Sequence, residues 1–331
     1  ILQNFLFVKV EHILHYNLDA PLKDSPYHLL QHQFLFSLDH SFLLVYFIEY
    51  EKIITMKDKV LITGGLGYIG SHIYLSLIKD NYSPIIFDNL STSHLSVKDR
   101  LFKMTSKEVV FFEGDTRNEK LIRDIVDKFE VDTIIHLAGK KSVAESMIIP
   151  KDYMDNNLGG TRAILNAITG SSCKKIIFSS SALVYGNTNS VSINEEHPLS
   201  FTNPYAESKF LCEKLLLDYS QSQDNLIIGI LRYFNPAGAD KNGLIGDNPS
   251  SNYKNLFTIL DDIYIGLQKE FIVFGNNYKT SDGTCIRDYL HISDLAEGHK
   301  KLIEFLNFTK SNQIFNLGSG KGYSVLEVLK Q

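Results

Sequence analysis

The sequence predicts an α/β protein built on a doubly wound parallel sheet with a smaller second domain. Short apolar runs alternate with helical patterns from Lys57 onward, which is typical of a parallel sheet with helices on both faces. A glycine-rich turn follows the first run, and Asp88 ends the second. In sheets of this kind the ligand lies at the carboxyl ends of the strands.

Each predicted strand is a short apolar run with polar or glycine residues at its ends. In chain order the runs are KVLIT, SPIIFD, VVFFEGD, VDTIIHLAG, KKIIFSSS and NLIIGILRYF, and the third is expected to end at Asp115. Apolar residues at helical spacing lie between them: Ile69, Ile73 and Leu77 in one helix and Leu121, Ile125 and Phe129 in another.

The stretch NPYAESK predicts the start of a further helix. Asn203 is a favoured N-cap and Pro204 a favoured first helical residue. Tyr205 and Lys209 are four residues apart and therefore share a face of this helix. A lysine cation beside a phenol lowers the phenol's pKa, so the pair indicates a tyrosine that exchanges protons near neutral pH. The apolar face is expected at Phe210, Leu211, Leu215 and Leu216.

Composition narrows the function classes. The chain has 331 residues, 44% of them hydrophobic, and a net charge of −5, which implies no broad nucleic-acid surface. The three cysteines are scattered and lack metal-ligand spacing, which favours a reducing compartment. Asp288 and His291 have no evident third partner, so no metal site is expected.

The first 55 residues differ from the rest, with no glycine and no clear period. Their longest apolar run, residues 42–48, is too short to span a bilayer. We expect Met56 to be the natural start and residues 1–55 to take no part in the fold. A chain that starts at Met56 should then melt at about the same temperature.

Gly64, Gly67 and Gly70 stand where the first strand meets the first helix. Their spacing suits a tight turn and close approach of backbone N–H groups to a pyrophosphate at a helix N-terminus. Asp88 would accept hydrogen bonds from the adenosine ribose and repel a 2′-phosphate, which favours NAD over NADP.

Several motifs occur in order along most of the chain: TGGLGYIGSH, FDNLSTS, EGDTRN, HLAGKKSVAES, DNNLGGT, FSSSALVYG, PYAESK, LRYFNPAGA and GTCIRDYLHISDLAEGH. By these motifs the chain resembles the UDP-hexose 4-epimerase branch of the extended short-chain dehydrogenase/reductase family. The resemblance implies NAD as cofactor and interconversion of UDP-glucose and UDP-galactose by transient oxidation at carbon 4 of the hexose. It also implies a cytoplasmic homodimer, a Rossmann domain over residues 56–234 and a partial substrate domain over 235–331, interleaved with the last strands of the sheet.

The resemblance assigns roles by position. The catalytic residues are Ser181, Tyr205 and Lys209. The cofactor contacts are Gly64, Gly67, Tyr68, Ile69, Gly70, Asp88, Asn89, Ser93, Asp115, Lys141, Asn156, Ser179, Lys209 and Tyr233. The substrate contacts are Ser181, Tyr205, Phe234, Asn235, Asn255, Leu256, Phe274 and Arg287. Arg287 suits this role because a guanidinium binds phosphate oxygens bidentately.

Two departures from the family pattern are evident. Leu183 stands where the family usually has Thr. Family members also continue beyond Gln331, so we expect the chain as given to bind NAD but to turn over poorly, and an extended chain to regain activity. The alternatives are another nucleotide-sugar enzyme, a dehydratase or decarboxylase, and an inactive NAD-binding fragment. Ala182-Leu183 has no carboxylate where a dehydratase usually carries an acidic pair.

Overall fold

The computed structural model describes residues 58–188, 192–223, 225–247 and 254–331. The extension over residues 1–55, expected to take no part in the fold, lies outside the described residues. Within the described ranges, no helix combines the length and the apolar character that crossing a membrane requires.

The described strands fall into two sheets. In chain order they are β1 (Lys59–Thr63), β2 (Ser83–Asp88), β3 (Phe111–Glu113), β4 (Thr133–His136), β5 (Lys175–Ser181), β6 (Ile227–Tyr233), β7 (Asn235–Ala237), β8 (Ile286–His291), β9 (Gln313–Leu317) and β10 (Gly322–Ser324). The larger sheet has the order β3-β2-β1-β4-β5-β6-β9. All of its neighbouring strands pair in parallel, as predicted.

The helices connect these strands on both faces. They are α1 (Tyr68–Lys79), α2 (Ser96–Thr105), α3 (Glu119–Phe129), α4 (Val143–Ile148), α5 (Pro150–Tyr153), α6 (Gly159–Ile168), α7 (Pro204–Gln221), α8 (Leu256–Tyr264), α9 (Ile292–Thr309) and α10 (Val325–Lys330). A π-helical turn, Met154–Leu158, joins α5 to α6, and a 3₁₀ turn, Ala182–Tyr185, follows β5.

Two hydrophobic cores hold the layers together, one on each face of the larger sheet. Alternate residues of each strand contribute to opposite cores, so Ile62 packs with α1 and α9 while Leu61 packs with α3, α6 and α7. The strand order reverses between β1 and β4, and this point opens a crevice at the carboxyl ends of the strands.

Two sequence predictions need correction at this level. The third strand ends at Glu113, not Asp115, because the chain turns at Gly114, where an added Cβ would lie 2.6 Å from Leu121. The buried residues of α3 are Ile122, Ile125 and Val126, whereas Leu121 and Phe129 are only partly buried.

The smaller sheet, in the order β10-β8-β7, follows directly from β6. Strand β7 begins two residues after Tyr233 and pairs in parallel with β8. The carboxylate of Asp288 in β8 accepts hydrogen bonds from Ser319 N, Ser319 Oγ and Gly320 N at 2.7–2.8 Å. This clamp ties the turn after β9 to the strand that carries Arg287.

Candidate active site

The glycine-rich turn has the backbone that its sequence predicts. Gly64 has φ +70°, a conformation that side chains disfavour, and a Cβ there would lie 3.0 Å from Ala138 N. A Cβ at Gly70 would lie 2.4 Å from Gly64 O, so only glycine lets α1 pack this close to the turn. The first helical hydrogen bond joins Ser71 N to Gly67 O at 3.0 Å. The N–H groups before it therefore have no partner within the helix, as an anion site requires.

Asp88 is buried at the end of β2, and its carboxylate forms hydrogen bonds with three other residues. Its carboxylate accepts from Leu66 N at 3.0 Å, Leu90 N at 2.9 Å and Ser93 Oγ at 2.8 Å. The first bond fastens the glycine turn to β2. Ser93 therefore orients Asp88 through its hydroxyl, a link that the sequence prediction of a direct ribose contact did not include.

A cavity of about 880 Å³ lies along the carboxyl ends of β1, β2, β4 and β5. The predicted cofactor residues that line it are Gly64, Gly67, Tyr68, Ile69, Gly70, Asp88, Asn89, Ser93, Asp115, Lys141, Asn156 and Ser179. The two other predicted cofactor residues, Lys209 and Tyr233, are not part of its lining. The opposite wall comes from residues 239 and 243–247, a contribution that the sequence did not suggest.

Arg117 is a cavity residue that sequence reasoning missed. Its Nε and one terminal nitrogen each donate to Asp115 at 2.8 Å, a bidentate ion pair. These bonds outweigh burial and lower the pKa of Asp115 to about 2. Asn89 Nδ2 also donates to Asp115 at 3.4 Å, which joins the ends of β2 and β3 at the predicted adenine end.

The π-helical turn places two asparagines at the same edge. Asn156 Oδ1 and Asn157 Oδ1 accept from Lys140 N at 3.2 and 2.8 Å. Asn157 Nδ2 donates to Lys140 O at 3.1 Å and to Ser208 Oγ at 2.9 Å, so it links this turn to α7. A π turn inside a helix is frequent at functional sites because it redirects side chains.

Helix α7 begins as predicted. Asn203 Oδ1 caps it by accepting from Ala206 N at 2.9 Å, and Pro204 is the first helical residue. Of the predicted apolar face, Leu216 is buried, whereas Phe210, Leu211 and Leu215 are only partly buried. The fully buried residues are largely polar or reactive: Tyr205, Ser208, Lys209, Cys212, Glu213 and Ser220.

Tyr205 and Lys209 both lie on this buried face, but their interaction differs from the sequence prediction. Lys209 Nζ donates to Ser179 O at 2.7 Å, and burial lowers the pKa of Lys209 to about 8. Burial raises the pKa of Tyr205 to about 12, against a hydrogen bond with Ser181. Desolvation of the phenol therefore dominates the pKa of Tyr205 here, and the predicted lowering by Lys209 together with the positive nicotinamide stays a prediction.

Ser179 and Ser181 are two residues apart on β5 and so point to the same side of the sheet. Ser179 lines the cavity and contacts Lys209, while Ser181 caps the 3₁₀ turn by accepting from Leu183 N at 3.2 Å. The three predicted catalytic residues are thus connected to the cavity through Ser179.

Two other buried groups near these residues have structural partners. The hydroxyl of Tyr233 bonds His299 Nε2 at 2.5 Å on α9, and burial raises the pKa of Tyr233 well above its ordinary value. The ring of His136 lies between the hydroxyls of Thr63 and Thr161, at 2.9 and 3.1 Å. Burial, with Lys209 nearby, lowers the pKa of His136 to about 3, so it stays neutral.

The predicted substrate residues lie on the smaller sheet and beyond it. Phe234 follows β6 and is partly buried, and Asn235 Nδ2 donates to Asp288 O at 2.7 Å. Asn255 caps α8 and donates to Asp247 Oδ2 at 2.6 Å.

The remaining three differ in exposure. Leu256 is the first residue of α8 and is partly buried. The side chain of Phe274 is 83% exposed. Arg287 is exposed, and one of its terminal nitrogens donates to Ile286 O at 2.9 Å. None of the substrate residues lines the cavity.

The described residues fit a bound dinucleotide. The cavity is long enough to reach from Asp115 to Ser179, and a helix N-terminus without a capping side chain faces its middle. One oxygen of Asp88, Oδ2, accepts a single bond from the chain and so retains capacity for a ribose hydroxyl. No group of three or more potential metal ligands occurs in the part of the chain that the structure describes.

A doubly wound sheet with this cavity and a serine–tyrosine–lysine group beside it defines a dinucleotide-dependent enzyme of the dehydrogenase type. The sequence profile of the NAD dependent epimerase/dehydratase family matches residues 60–318, and the chain belongs to this family. The resemblance inferred from the motifs is confirmed.

The chain is similar to several UDP-glucose 4-epimerases. It is 43% identical to that of Dictyostelium discoideum over 275 residues, which is 83% of this chain and 80% of the relative. The structure of the enzyme from Stenotrophomonas maltophila, with bound NAD and formylated UDP-arabinopyranose, matches with a TM-score of 0.80 and 38% identity, over 83% of this chain and 82% of the other. That from Bifidobacterium longum, in complex with NAD⁺ and UDP, matches with a TM-score of 0.79 and 41% identity, over 82% and 81%.

Proposed function

We propose that this chain interconverts UDP-galactose and UDP-glucose by transient oxidation at carbon 4 of the hexose. The observation that carries the proposal is the contact between Lys209 Nζ and Ser179 O, which joins the dinucleotide cavity to Tyr205 and Ser181. The similarity to UDP-glucose 4-epimerases over four fifths of the chain supports this substrate pair.

The residues that would hold NAD line the cavity. Asp88 would accept from the adenosine ribose, the N-terminus of α1 would face the pyrophosphate, and Lys209 would reach the nicotinamide ribose. When bound, NAD supplies the acceptor for the hydrogen at carbon 4 and the source from which it returns.

Tyr205 carries the proton of the reaction. As a phenolate, its oxygen accepts the proton of the sugar's 4-hydroxyl during oxidation, and as the resulting phenol it donates that proton back during reduction. The pKa of about 12 that burial gives this phenol means that positive charge beside it is needed before it can act as a base near neutral pH. Lys209 supplies such charge below its own pKa of about 8, and Ser181 orients the oxygen through its hydrogen bond.

Inversion requires that the sugar turn over while the nucleotide stays bound. Asn235 lies on β7 and Arg287 on β8. The hydroxyls of Ser181 and Tyr205 lie on other elements, β5 and α7. Arg287 is exposed and presents a guanidinium suited to diphosphate oxygens. We assign to these two residues the binding of the nucleotide. The hexose is then free to turn and present either face to the cofactor.

The test is conversion of UDP-galactose to UDP-glucose with no net release of reduced nicotinamide. The assay is run on the chain as given and on a chain extended by the C-terminal segment of a relative, because the extended chain is expected to turn over faster. Tyr205→Phe should lower kcat by roughly 10²–10⁴-fold, the usual contribution of a positioned acid–base group, while leaving NAD bound.

Tyr219→Phe is the matched control. It removes a hydroxyl from the same helix, one that bonds Thr169 Oγ1 at 2.6 Å and lies about 21 Å along the helix from Tyr205. It should leave kcat unchanged. Near-normal turnover of Tyr205→Phe would refute the assignment, and a product that lacks the 6-hydroxyl would identify a dehydratase instead.

We also propose a cytoplasmic location and a homodimer. The three cysteines are free thiols, which suits a reducing compartment. Light scattering on the purified protein should give twice the mass of the chain, and a monomer would contradict the second proposal.

A further inference from the structure

A buried ionic network lies directly behind the proposed catalytic residues. Glu213 Oε2 accepts from Arg232 at 2.7 Å and Glu213 Oε1 accepts from Arg232 Nε at 3.1 Å, a bidentate pair. Ser180 Oγ donates to Glu213 Oε1. Arg232 also donates to Tyr185 Oη at 2.9 Å and to Glu195 O at 3.2 Å. The side chains of Glu213 and Arg232 are each only 3% exposed.

Each member is close in sequence to a residue of the proposed chemistry. Ser180 lies between Ser179 and Ser181, and Arg232 directly precedes Tyr233. Glu213 is one helical turn after Lys209, on the same face of α7. The side chains of Ser180 and Arg232 both reach Glu213 on α7 from neighbouring strands, β5 and β6.

Hydrophobic packing would hold α7 against the sheet without setting its position along the strands. A bidentate arginine–carboxylate pair has one geometry, and it is lost if the helix slides or rotates. Buried ion pairs contribute little net stability compared with apolar residues of the same size. The position of this pair, between two strands and the helix of Tyr205, therefore suits placement of that helix better than it suits stability.

We propose that the Glu213–Arg232 pair, with Ser180, is a positioning unit for the active site. It sets the register of α7 against β5 and β6 and thereby the places of Tyr205 and Lys209 relative to Ser179 and Ser181. None of its three members lines the cavity. The inference rests on the proposed function for the roles of Tyr205 and Lys209.

The charges around Lys209 agree with this role. Burial lowers the pKa of Lys209, and Cys212 and Glu213 oppose the shift. The other groups that face Lys209 are Phe178 and Ser179 on β5 and His136 on β4, and Arg232 on β6 neutralises Glu213. Removal of the Glu213 charge alone would leave Arg232 unpaired and lower the pKa of Lys209 further.

The test compares Glu213→Gln, Arg232→Lys and Ser180→Ala with the unchanged protein, in whichever of the two chain lengths turns over. Glu213→Gln should lower kcat by roughly 10–100-fold, the effect of displacing catalytic groups by about 1 Å, with KM within about twofold. The alkaline limb of its pH profile should move down by about 1 pH unit, because Lys209 loses its proton earlier. Glu213→Gln with Arg232→Met should return the limb toward its original pH while kcat stays low.

Lys175→Met is the control for loss of a buried ion pair. Lys175 bonds Asp132 at 2.6 Å at the opposite end of β5, so this variant should lose thermal stability with kcat and pH profile unchanged. Equal kcat losses in Lys175→Met and Glu213→Gln would overturn the proposal, and so would a Glu213→Gln profile identical to the original. Should Glu213→Gln fail to fold, Ser180→Ala and Arg232→Lys carry the same comparison, with smaller kcat losses expected.

Crystal structures separate this inference from the proposed function. In Glu213→Gln, Lys209 Nζ should move beyond about 3.5 Å from Ser179 O, the limit of a hydrogen bond, from its present 2.7 Å. Retention of that contact with Tyr205 displaced by less than about 0.5 Å would refute the positioning role. This result does not depend on epimerase activity, whereas lack of activity at both chain lengths would refute only the proposed function.

Discussion

Asp88 has a structural task as well as its proposed ribose contact. Its carboxylate fastens the glycine turn through Leu66 N and holds Ser93. Asp88→Ala should therefore weaken NAD binding by roughly 10–100-fold, which is the contribution of a hydrogen bond to a charged group. It should also reduce the difference between the affinities for NAD and NADP. Titration calorimetry with both cofactors measures this.

Asp88→Asn separates the two tasks because it keeps an acceptor oxygen while removing the charge. This variant should keep most of the affinity for NAD. The difference between its affinities for NAD and NADP should still become smaller, because the repulsion of a 2′-phosphate is lost. Tighter binding of NADP than of NAD by the unchanged protein would contradict the assignment of Asp88.

By the resemblance of its motifs, Leu183 is predicted to stand where the family usually has threonine. Its side chain is 41% exposed, and its N–H donates to Ser181 Oγ. Leu183→Thr should raise kcat by roughly fivefold, the worth of one added hydrogen bond in the transition state. Leu183→Val is the control, branched like threonine but without the hydroxyl. An equal gain in kcat in both variants would indicate an effect of packing. No gain in kcat in Leu183→Thr would show that the hydroxyl does not assist the reaction.

At the scale of the element, α7 links stability to chemistry because its cap lies two residues before Tyr205. Asn203→Ala removes the bond to Ala206 N and should cost about 1 kcal/mol of unfolding free energy. It should also lower kcat, because the first helical turn carries the phenol. Denaturant unfolding and kinetics at saturating NAD measure the two effects.

Asn118→Ala is the matched change in α3. Asn118 caps that helix through Leu121 N at 3.2 Å, so its removal should cost similar stability and leave kcat at saturating NAD unchanged. Asn203→Ser, which preserves a capping oxygen, should restore both quantities. A loss of kcat in Asn118→Ala equal to that in Asn203→Ala would show that general destabilisation, not placement of Tyr205, is responsible.

At the scale of the whole molecule, a second ionic group locks the amino ends of the strands, opposite the cavity. Lys175 Nζ bonds Asp58 at 2.9 Å, Asp132 at 2.6 Å and Asn307 at 2.7 Å, which joins β5 to residues before β1 and β4 and to α9. Lys175→Met should lower the unfolding free energy by about 1–3 kcal/mol, less than for a fully buried pair because both carboxylates are partly exposed. NAD affinity should not change.

The same group predicts a pH dependence of stability. Burial raises the pKa of Asp58, but hydrogen bonding and charge from Lys175 outweigh it, so the pKa is lowered in the folded protein. Its contribution is therefore present above the unfolded-state pKa, about 3.9, and is lost as pH falls through the folded value. Unfolding free energies measured from neutral pH downward should fall less steeply for Lys175→Met. Parallel curves for the two proteins would contradict this.

Local patterns in the sequence sufficed for the features that depend on neighbouring residues. Asn203-Pro204 predicted the start of α7, and the glycine spacing predicted a turn in which the φ of Gly64 favours glycine. The parallel sheet was predicted from the alternation of strands and helices, a pattern that is typical of parallel sheets. Most predicted cofactor residues meet in one cavity because the carboxyl ends of parallel strands lie at one edge.

The sequence by itself determined three features of this protein. The fold class follows from the periodicity of apolar residues, and the edge of the sheet that would bind a nucleotide follows from the glycines of the first turn. The candidate catalytic residues follow from the motifs. Only the tertiary structure decided which groups are desolvated and with what they pair. The pKa of Tyr205 rises rather than falls because burial outweighs the hydrogen bond with Ser181, and Arg232 meets Glu213 although they lie 19 positions apart. Burial and long-range pairing depend on how helix and sheet pack, and no local pattern records that.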